Sequence, residues 1–289
     1  TLVGEETYPP YQRPPLSKKY MAGKLQRERL FLRPLKFYES NNIDLELGTR
    51  AIELDLTNSR VRLDNDRLLK FDGLMLATGS KVRRLKVPGS DLEGIHYVRT
   101  LKDVDAILPK LKKGKRLVII GAGYIGLEVA AVSISSGLDV TILEATEKVM
   151  TRTVSSEVSK FYSGYHSKAG VNLKYSTTVG NFEGNNNVRA VETTDGQRLA
   201  CDLVIVGIGI EPEVELAESA GLPCKDGIIV DEFACTEDQN IFAAGDCTNH
   251  PSQLLSKRIR LESVQNAIDQ AKAGIKTFLG GKTPYKTVP

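Results

Sequence analysis

The stretch Arg116-Leu117-Val118-Ile119-Ile120-Gly121-Ala122-Gly123-Tyr124-Ile125-Gly126 decides the fold. Its apolar run, up to Ile120, is typical of a strand buried on both faces of a parallel sheet. The GxGxxG pattern that follows opens a predicted helix ending near Ser136, and a predicted strand covers Val140–Leu143. Strand, glycine turn, helix and strand form the βαβ unit that binds dinucleotides.

Each glycine of this pattern has its own physical reason. Gly121 permits the tight turn, Gly123 lets the backbone approach a pyrophosphate, and Gly126 lets the helix pack against the strand. The phosphate is expected at the helix N-terminus, where free N–H groups and the helix dipole favour an anion.

An acidic residue ends the second strand of the unit. Glu144 lies 23 positions after Gly121, close to the spacing of the acid that accepts hydrogen bonds from a ribose 2′-hydroxyl. A carboxylate there repels a 2′-phosphate, so the sequence predicts NADH over NADPH. Arg152, beyond the strand end, is expected to weaken that preference.

Glu128 is the one charged residue on an otherwise apolar helix segment, Ile125–Val132. Two interpretations stay open. It is either a solvated helix position or a carboxylate near the nicotinamide carboxamide.

Two further apolar strands end in small residues. Ala77-Thr78-Gly79 follows the first, and Ala244-Gly245-Asp246 follows the second. Small residues permit close approach of the backbone to a ligand. Asp246 is therefore a candidate for binding a ribityl hydroxyl, and the alternative is an N-cap of a following helix.

Composition excludes several classes of protein. The chain has 289 residues, 41% apolar and 26% charged, which suits two domains of ordinary size. Aromatic residues make up 6% and Trp is absent, so nucleic-acid stacking is not expected. The longest apolar-rich run, Leu117–Leu127, is too short to span a membrane. The four cysteines, Cys201, Cys224, Cys235 and Cys247, form no CxxC pair and are expected to be buried, reduced thiols of a cytoplasmic protein.

The remaining elements follow from patterning. Residues 43–72 alternate apolar and polar side chains and predict a β-meander, and residues 171–201 predict a second β-rich patch. Helices are predicted over residues 101–113 and 260–278.

Several motifs resemble the FAD-dependent NADH:ferredoxin reductases of bacterial oxygenase systems, which serve Rieske dioxygenases and cytochromes P450. The motifs are Pro10–Lys18, Gly121–Ala131, Val206–Gly209, Phe242–Cys247 and Arg260–Ala267. The resemblance implies an α/β fold like that of glutathione reductase, with two Rossmann-like three-layer dinucleotide-binding domains and β-meander insertions.

The resemblance also implies roles for single residues. Lys18, Glu128 and Tyr124 are the expected catalytic residues, with Lys18 near flavin N5 and Tyr124 as a lid over the nicotinamide. Glu5 and Ala51 are expected at the adenosine of FAD, Arg13 and Arg99 at the flavin, and Asp246 and Val264 at the ribityl and isoalloxazine groups. The full expected cofactor-binding set is Glu5, Arg13, Lys18, Ala51, Ala77, Thr78, Gly79, Arg99, Gly121, Gly123, Tyr124, Ile125, Gly126, Glu128, Glu144, Arg152, Gly207, Gly209, Gly245, Asp246 and Val264.

The same resemblance predicts a domain plan. Residues 1–104 and 232–280 are expected to form a discontinuous FAD-binding domain without the family's first strand and first GxGxxG. Residues 105–231 are expected to bind NAD(H), and residues 281–289 to link to a C-terminal interface domain. The chain is accordingly expected to be a fragment, and to hold FAD poorly unless the missing turn is supplied.

The implied reaction is hydride transfer from NADH to FAD, followed by two one-electron transfers to a [2Fe–2S] ferredoxin, with Lys18 stabilising negative charge on the reduced flavin. Residues 14–18 lack the cysteine that disulfide reductases carry against the flavin, so an external carrier is expected. The segment from Arg13 to Lys36 contains eight Lys and Arg residues and one Glu, and this basic excess predicts an acidic carrier. The alternative is a solvated helix face. The alternatives for the whole chain are reduction of rubredoxin or a nitrite-reductase module, NADH-switched binding as in apoptosis-inducing factor, or binding of NAD(H) alone.

Overall fold

The computed structural model describes residues 1–286, and the following elements lie in that range. The strands are β1 (Leu2–Gly4), β2 (Leu45–Leu47), β3 (Ala51–Asp55), β4 (Arg60–Leu63), β5 (Leu68–Lys70), β6 (Leu74–Leu76), β7 (Ser80–Val82), β8 (Ile95–Tyr97), β9 (Arg116–Ile120), β10 (Asp139–Leu143), β11 (Asn172–Lys174), β12 (Val179–Gly184), β13 (Val188–Thr193), β14 (Arg198–Ala200), β15 (Leu203–Val206), β16 (Ile210–Pro212), β17 (Ile228–Ile229), β18 (Ile241–Ala243), β19 (Thr248–Ser252) and β20 (Lys257–Ile259). The helices are α1 (Leu35–Ser40), α2 (Leu101–Ile107), α3 (Tyr124–Ser135), α4 (Ser156–Lys168), α5 (Glu215–Ser219) and α6 (Val264–Phe278). Short 3₁₀ turns cover Pro14–Ser17, Arg27–Arg29 and Leu108–Lys110.

The chain divides into two compact units. Unit 1 contains residues 1–9, 33–81 and 210–289, and unit 2 contains residues 10–32 and 82–209. The predicted assignment of FAD to residues 1–104 and 232–280, and of NAD(H) to 105–231, follows different boundaries and stays a prediction.

Unit 2 is built on a five-stranded sheet in the order β11-β10-β9-β15-β8. Every neighbouring pair in this sheet is parallel, and β9 lies at its centre with Leu117 and Ile119 almost fully buried. The predicted strand, glycine turn, helix and strand are present as β9, α3 and β10. Because strands β9, β10 and β15 run in one direction, their carboxyl ends bring Gly121, Glu144 and Gly207 to the same edge of the sheet.

Unit 1 contains the predicted meander, since β3, β4 and β5 pair antiparallel in sequence order. Two short parallel pairs, β1 with β2 and β6 with β18, accompany it. Its core includes Leu63, Ile228 and Ile241, none of which is exposed. Together with unit 2, these parallel pairs confirm the predicted α/β class with Rossmann-like elements.

Two helix predictions were wrong at one end. The helix predicted over residues 101–113 stops at Ile107 and continues only as a 3₁₀ turn, since Pro109 has no N–H for a helical hydrogen bond. The helix predicted to begin at residue 260 begins at Val264, because the Ser263 hydroxyl caps it by accepting from the Asn266 N–H at 3.1 Å.

The end of the chain was predicted to be a linker. Residues 281–286 form neither helix nor strand, but the Tyr285 side chain is buried and its hydroxyl donates to Asn266 Oδ1 at 2.8 Å. Residues 287–289, the last part of that prediction, lie outside the described residues.

The cysteine prediction holds for three of the four thiols. Cys201, Cys235 and Cys247 are buried, whereas Cys224 is half-buried. Burial raises the pKa of Cys201 to about 12, so its thiol is protonated near neutral pH. Within residues 1–286, no cluster of His, Cys, Asp and Glu is arranged to hold a metal ion, and no helix is both long and apolar enough to cross a membrane.

Candidate functional site

Two glycines of the turn in unit 2 are fixed by close packing. Gly121 has φ +99°, and a Cβ there would lie 2.4 Å from the Gly207 carbonyl oxygen. A Cβ on Gly126 would lie 2.0 Å from the Gly121 carbonyl oxygen. Both distances are far inside van der Waals contact, so the turn requires glycine at these positions. Gly207 completes the contact by donating its N–H to the Ile120 carbonyl at 2.7 Å.

The middle glycine is different, because the space beside it is open. A Cβ on Gly123 would meet no atom within 4 Å. Gly123 precedes the first residue of α3, no side chain caps that helix, and its first turn carries no acidic residue. Uncapped N–H groups beside open space fit a pyrophosphate, which is the test that a nucleotide site has to meet here.

The two residues after this turn are exposed at the start of α3. Tyr124 is 55% exposed and Ile125 is 40% exposed. Neither is needed for the core, which is consistent with the predicted lid over a nicotinamide. That function stays a prediction.

The Glu144 carboxylate is held beside the glycine turn. Its Oε2 accepts from the Ala122 N–H at 2.7 Å, and its Oε1 accepts from the Thr146 N–H at 2.9 Å and the Thr146 hydroxyl at 2.7 Å. These bonds fix an anion at the edge where the adenosine ribose of a dinucleotide lies in this fold. The position fits the predicted contact with a ribose hydroxyl.

Arg152 lies against another predicted site residue. Its Nη2 is 3.4 Å from the position that a Cβ on Gly209 would occupy. Gly209 has φ +105°, and its carbonyl accepts from the Arg83 N–H at 3.0 Å. The guanidinium therefore lies beside Gly209, which is also predicted to bind the cofactor, and the effect of Arg152 on nucleotide preference stays a prediction.

Glu128 joins a charged cluster with the Pro14–Ser17 turn. The Lys18 ammonium lies 2.9 Å from Glu128 Oε1, and the Ser17 hydroxyl donates to Oε2 at 2.5 Å. Ser17 is buried, and the Glu128 side chain is 25% exposed. Glu128 is therefore not a freely solvated helix position, and that alternative was wrong. The structure brings together two of the three predicted catalytic residues.

Arg13 is oriented by neighbours in unit 2. Its Nη1 donates to the Arg99 carbonyl at 2.8 Å and to the Tyr11 hydroxyl at 3.1 Å, and its guanidinium lies over the Tyr11 ring. Arg99 contacts Arg13 through its backbone carbonyl. The predicted position of Arg99 at the flavin stays a prediction.

In unit 1, the Ala77-Thr78-Gly79 turn is tied to Glu213. The Thr78 hydroxyl donates to the Glu213 carbonyl at 2.5 Å, and the Glu213 N–H donates to the Gly79 carbonyl at 2.9 Å. Gly79 has φ +68°, which favours glycine over residues with a Cβ. Two hydrogen bonds hold the turn, and it carries no bulky side chain.

Asp246 is held by the strand that follows that turn. The Ser80 hydroxyl donates to Asp246 Oδ2 at 2.8 Å. Strand β19, not a helix, begins two residues later, so the alternative that Asp246 caps a helix was wrong. Gly245, with φ +87°, makes the turn that presents this carboxylate.

The other predicted residues of unit 1 lie at element ends. Glu5 follows β1 and its carboxylate is 3.8 Å from Arg50 Nη1. Ala51 is the first residue of β3, and Val264 is the first residue of α6 with 55% of its surface exposed. Their assignment to FAD stays a prediction.

Three residues of the site escaped the sequence analysis. In unit 2, the Ser17 hydroxyl donates to Glu128 and the Thr146 hydroxyl donates to Glu144. In unit 1, the Ser80 hydroxyl donates to Asp246. Only Thr146 has a local signal, since a hydroxyl two residues after a carboxylate is in reach of it. Ser17 lies 111 positions from Glu128 and Ser80 lies 166 positions from Asp246, so no spacing could reveal them.

Comparison with known proteins places these features in a family. The family model described as pyridine nucleotide-disulphide oxidoreductase matches residues 1–271. Rhodocoxin reductase of Rhodococcus erythropolis is 42% identical over all of this chain and 68% of its own length. Putidaredoxin reductase of Pseudomonas putida is 43% identical over 98% of this chain and 68% of its own length.

A solved structure supports the same conclusion. The covalent complex of putidaredoxin reductase with putidaredoxin contains a chain that matches this one with a TM-score of 0.95 and 42% identity. The match covers 99% of this chain and 70% of that chain. The resemblance identified from the motifs is confirmed, and the chain belongs to the pyridine nucleotide-disulphide oxidoreductase family, whose members are oxidoreductases that use a flavin and a pyridine nucleotide.

Proposed function

We propose that the protein passes electrons from NADH through FAD to a [2Fe–2S] ferredoxin. The observation that carries the proposal is the cluster of Ser17, Lys18 and Glu128, in which a lysine ammonium lies 2.9 Å from a carboxylate of α3. A family of flavin-dependent pyridine-nucleotide oxidoreductases supplies the chemical frame, and relatives named as reductases of redoxins supply the acceptor class.

FAD would supply the change from a two-electron hydride donor to single-electron transfers. In unit 2, Arg13 and Lys18 are the residues that we assign to its flavin. The residues of this chain bind and orient FAD and NADH. Gly123 leaves room for the NADH pyrophosphate, and the Glu144 carboxylate accepts a hydrogen bond from a ribose hydroxyl.

Lys18 has a defined electrostatic task in this proposal. A cation near the flavin lowers the energy of negative charge that develops when the ring is reduced. Glu128 holds the ammonium at 2.9 Å, and Ser17 fixes the other carboxylate oxygen, so the cation is oriented before the nucleotide arrives. This arrangement avoids reorganisation during hydride transfer.

The acceptor has to be an external carrier. Pro14–Ser17, the turn that precedes Lys18, contains no cysteine, and three of the four thiols are buried. An internal disulfide relay therefore has no support in the described part of the chain. The basic segment from Arg13 to Lys36, with eight basic residues and one acidic residue, favours an acidic carrier because opposite charges steer association.

Acceptor assays at varied salt test the proposal. With NADH as donor, we expect the purified flavoprotein to reduce an acidic [2Fe–2S] ferredoxin faster than rubredoxin. The ferredoxin rate should fall as ionic strength rises, whereas reduction of ferricyanide, a small acceptor that needs no docking face, should change less. The double variant Lys19→Glu, Lys24→Glu should slow the ferredoxin reaction selectively.

If rubredoxin is reduced faster than ferredoxin, the acceptor is rubredoxin and the ferredoxin part of the proposal is wrong. A long-lived complex of NADH with the flavoprotein, together with slow reduction of every carrier, would favour an NADH-switched binding protein instead. Purified full-length protein without flavin colour would overturn the proposal.

A further inference from the structure

The loop after β10 does more than present Glu144. Thr146 gives the carboxylate two hydrogen bonds, through its N–H at 2.9 Å and its hydroxyl at 2.7 Å, both to Oε1. The Ala122 N–H gives one bond to Oε2 at 2.7 Å. An ionised carboxylate has about four lone-pair positions. Three are occupied, and the one left belongs to Oε2.

The Thr146 proton has competing acceptors, which the loop resolves. Thr146 Oγ1 also lies 2.9 Å from the Lys148 carbonyl and 2.8 Å from Thr151 Oγ1. The Thr151 hydroxyl donates to the Lys148 carbonyl at 2.7 Å, so that carbonyl has its own donor. A hydrogen bond to an anion is stronger than one to a neutral carbonyl, and the Thr146 proton therefore goes to Glu144.

This arrangement has a consequence for selectivity. A carboxylate held by three hydrogen bonds resists turning away when a nucleotide carrying a 2′-phosphate enters. It remains an anion at a fixed position, with one acceptor site open to a ribose hydroxyl. Without the Thr146 hydroxyl, each carboxylate oxygen keeps one backbone N–H, from Ala122 and from residue 146. Two hydrogen bonds resist rotation of the side chain less than three do, and that rotation would relieve repulsion of the phosphate.

We infer that Thr146 is a specificity-determining positioning residue, whose hydroxyl locks Glu144 so that it accepts a free ribose hydroxyl and rejects a 2′-phosphate. The inference rests on the proposed function of Glu144 as the ribose-binding carboxylate. It assigns the preference for NADH to an anchored carboxylate, not to its charge alone.

The test compares two small probes that need no flavin chemistry. Binding of 5′-AMP and of 2′,5′-ADP, which carries the 2′-phosphate, is measured by titration calorimetry on the flavoprotein. Thr146→Val, which keeps the shape and removes the hydroxyl, should lower the preference for 5′-AMP over 2′,5′-ADP by about tenfold, since a hydrogen bond to a charged group is lost.

Two variants serve as controls. Thr146→Ser keeps the hydroxyl and should restore the preference to within about twofold of the starting protein. Thr153→Val removes a hydroxyl of the same loop that donates to the Met150 carbonyl at 3.2 Å and does not touch Glu144, so the preference should not change. In steady state, Thr146→Val should raise KM for NADH and lower it for NADPH, with kcat for NADH unchanged.

Each other outcome overturns the inference. Equal weakening of both probes by Thr146→Val would show that Thr146 only supports the loop. An unchanged preference in that variant would show that charge alone selects the nucleotide, and the function of Glu144 would survive. If the starting protein itself prefers 2′,5′-ADP, the proposed function of Glu144 fails and the inference fails with it.

Discussion

Substitution of Gly123 by alanine separates binding from folding at the nucleotide turn. Gly123 has φ −79° and ψ −172°, a conformation that alanine adopts without strain. A Cβ there meets no atom within 4 Å, so the methyl group fits the folded protein. The same methyl group would occupy the space that we assign to the NADH pyrophosphate.

The two effects have opposite signs. Gly→Ala at a compatible position stabilises a protein by about 0.4–1 kcal/mol, because the unfolded chain loses freedom. For a protein of this size that corresponds to a rise in Tm of about 1–4 °C. Binding of NADH should instead weaken at least tenfold, or about 1.4 kcal/mol, because the backbone can no longer approach the phosphates. Gly126→Ala is the matched contrast, since its Cβ would lie 2.0 Å from a carbonyl oxygen and should destabilise the fold.

Thermal unfolding and titration with NADH measure both effects on the same samples. We expect Gly123→Ala to retain or raise Tm and to lose affinity, and Gly126→Ala to lose Tm. Unchanged NADH affinity in Gly123→Ala would refute the placement of the pyrophosphate at this turn. A large fall in its Tm would refute the claim that the space beside Gly123 is open.

Three further predictions follow from the charged and thiol groups. Lys18→Met should lower the rate of flavin reduction by NADH about tenfold or more in stopped-flow experiments, whereas the control Lys19→Met should not, and equal rates would argue against the electrostatic task of Lys18. The pKa of Asp202 is lowered to about 2, mainly by hydrogen bonds from Arg116, so the carboxylate contributes stability above pH 4 that is lost as the pH falls towards 2. Because Asp202 is exposed and its ion pair with Arg116 is screened by solvent, Asp202→Asn should destabilise the protein by about 1 kcal/mol or less at pH 7. Denaturant titrations should show this difference in the free energy of unfolding narrowing below pH 4, and a difference independent of pH would contradict the prediction. Burial raises the pKa of the Cys201 thiol to about 12, so iodoacetamide at pH 8 should not label it until the protein unfolds. Mass spectrometry of briefly labelled native protein measures this, and a labelled Cys201 would contradict the prediction.

The local part of the site could be predicted from the sequence. Gly121, Gly123 and Gly126 follow a buried strand and open a helix, and the contact that requires glycine at position 126, with the Gly121 carbonyl, acts within a few residues of the chain. The contact of Gly121 with the Gly207 carbonyl joins distant parts of the chain and could not be predicted. Glu144 could be placed because strands of a parallel sheet end at one edge. The structure confirmed this βαβ unit nearly to the residue.

The partners of the carboxylates could not be predicted, since they depend on tertiary packing. Ser17 meets Glu128 across 111 positions, and Ser80 meets Asp246 across 166. The prediction of two helix ends was wrong for a local reason instead. Pro109 stopped one helix and the Ser263 cap delayed the start of another, and apolar periodicity does not register either signal.

The most direct test of the proposed electron path is an anaerobic single-turnover experiment followed by absorbance. One equivalent of NADH is added to the purified full-length flavoprotein, and oxidised [2Fe–2S] ferredoxin is then supplied. We predict that NADH bleaches the flavin band, that NADPH does so far more slowly, and that ferredoxin restores the band while its own spectrum shows reduction. Absence of a flavin band, or a band that ferredoxin fails to restore, would contradict the path from NADH through FAD to ferredoxin.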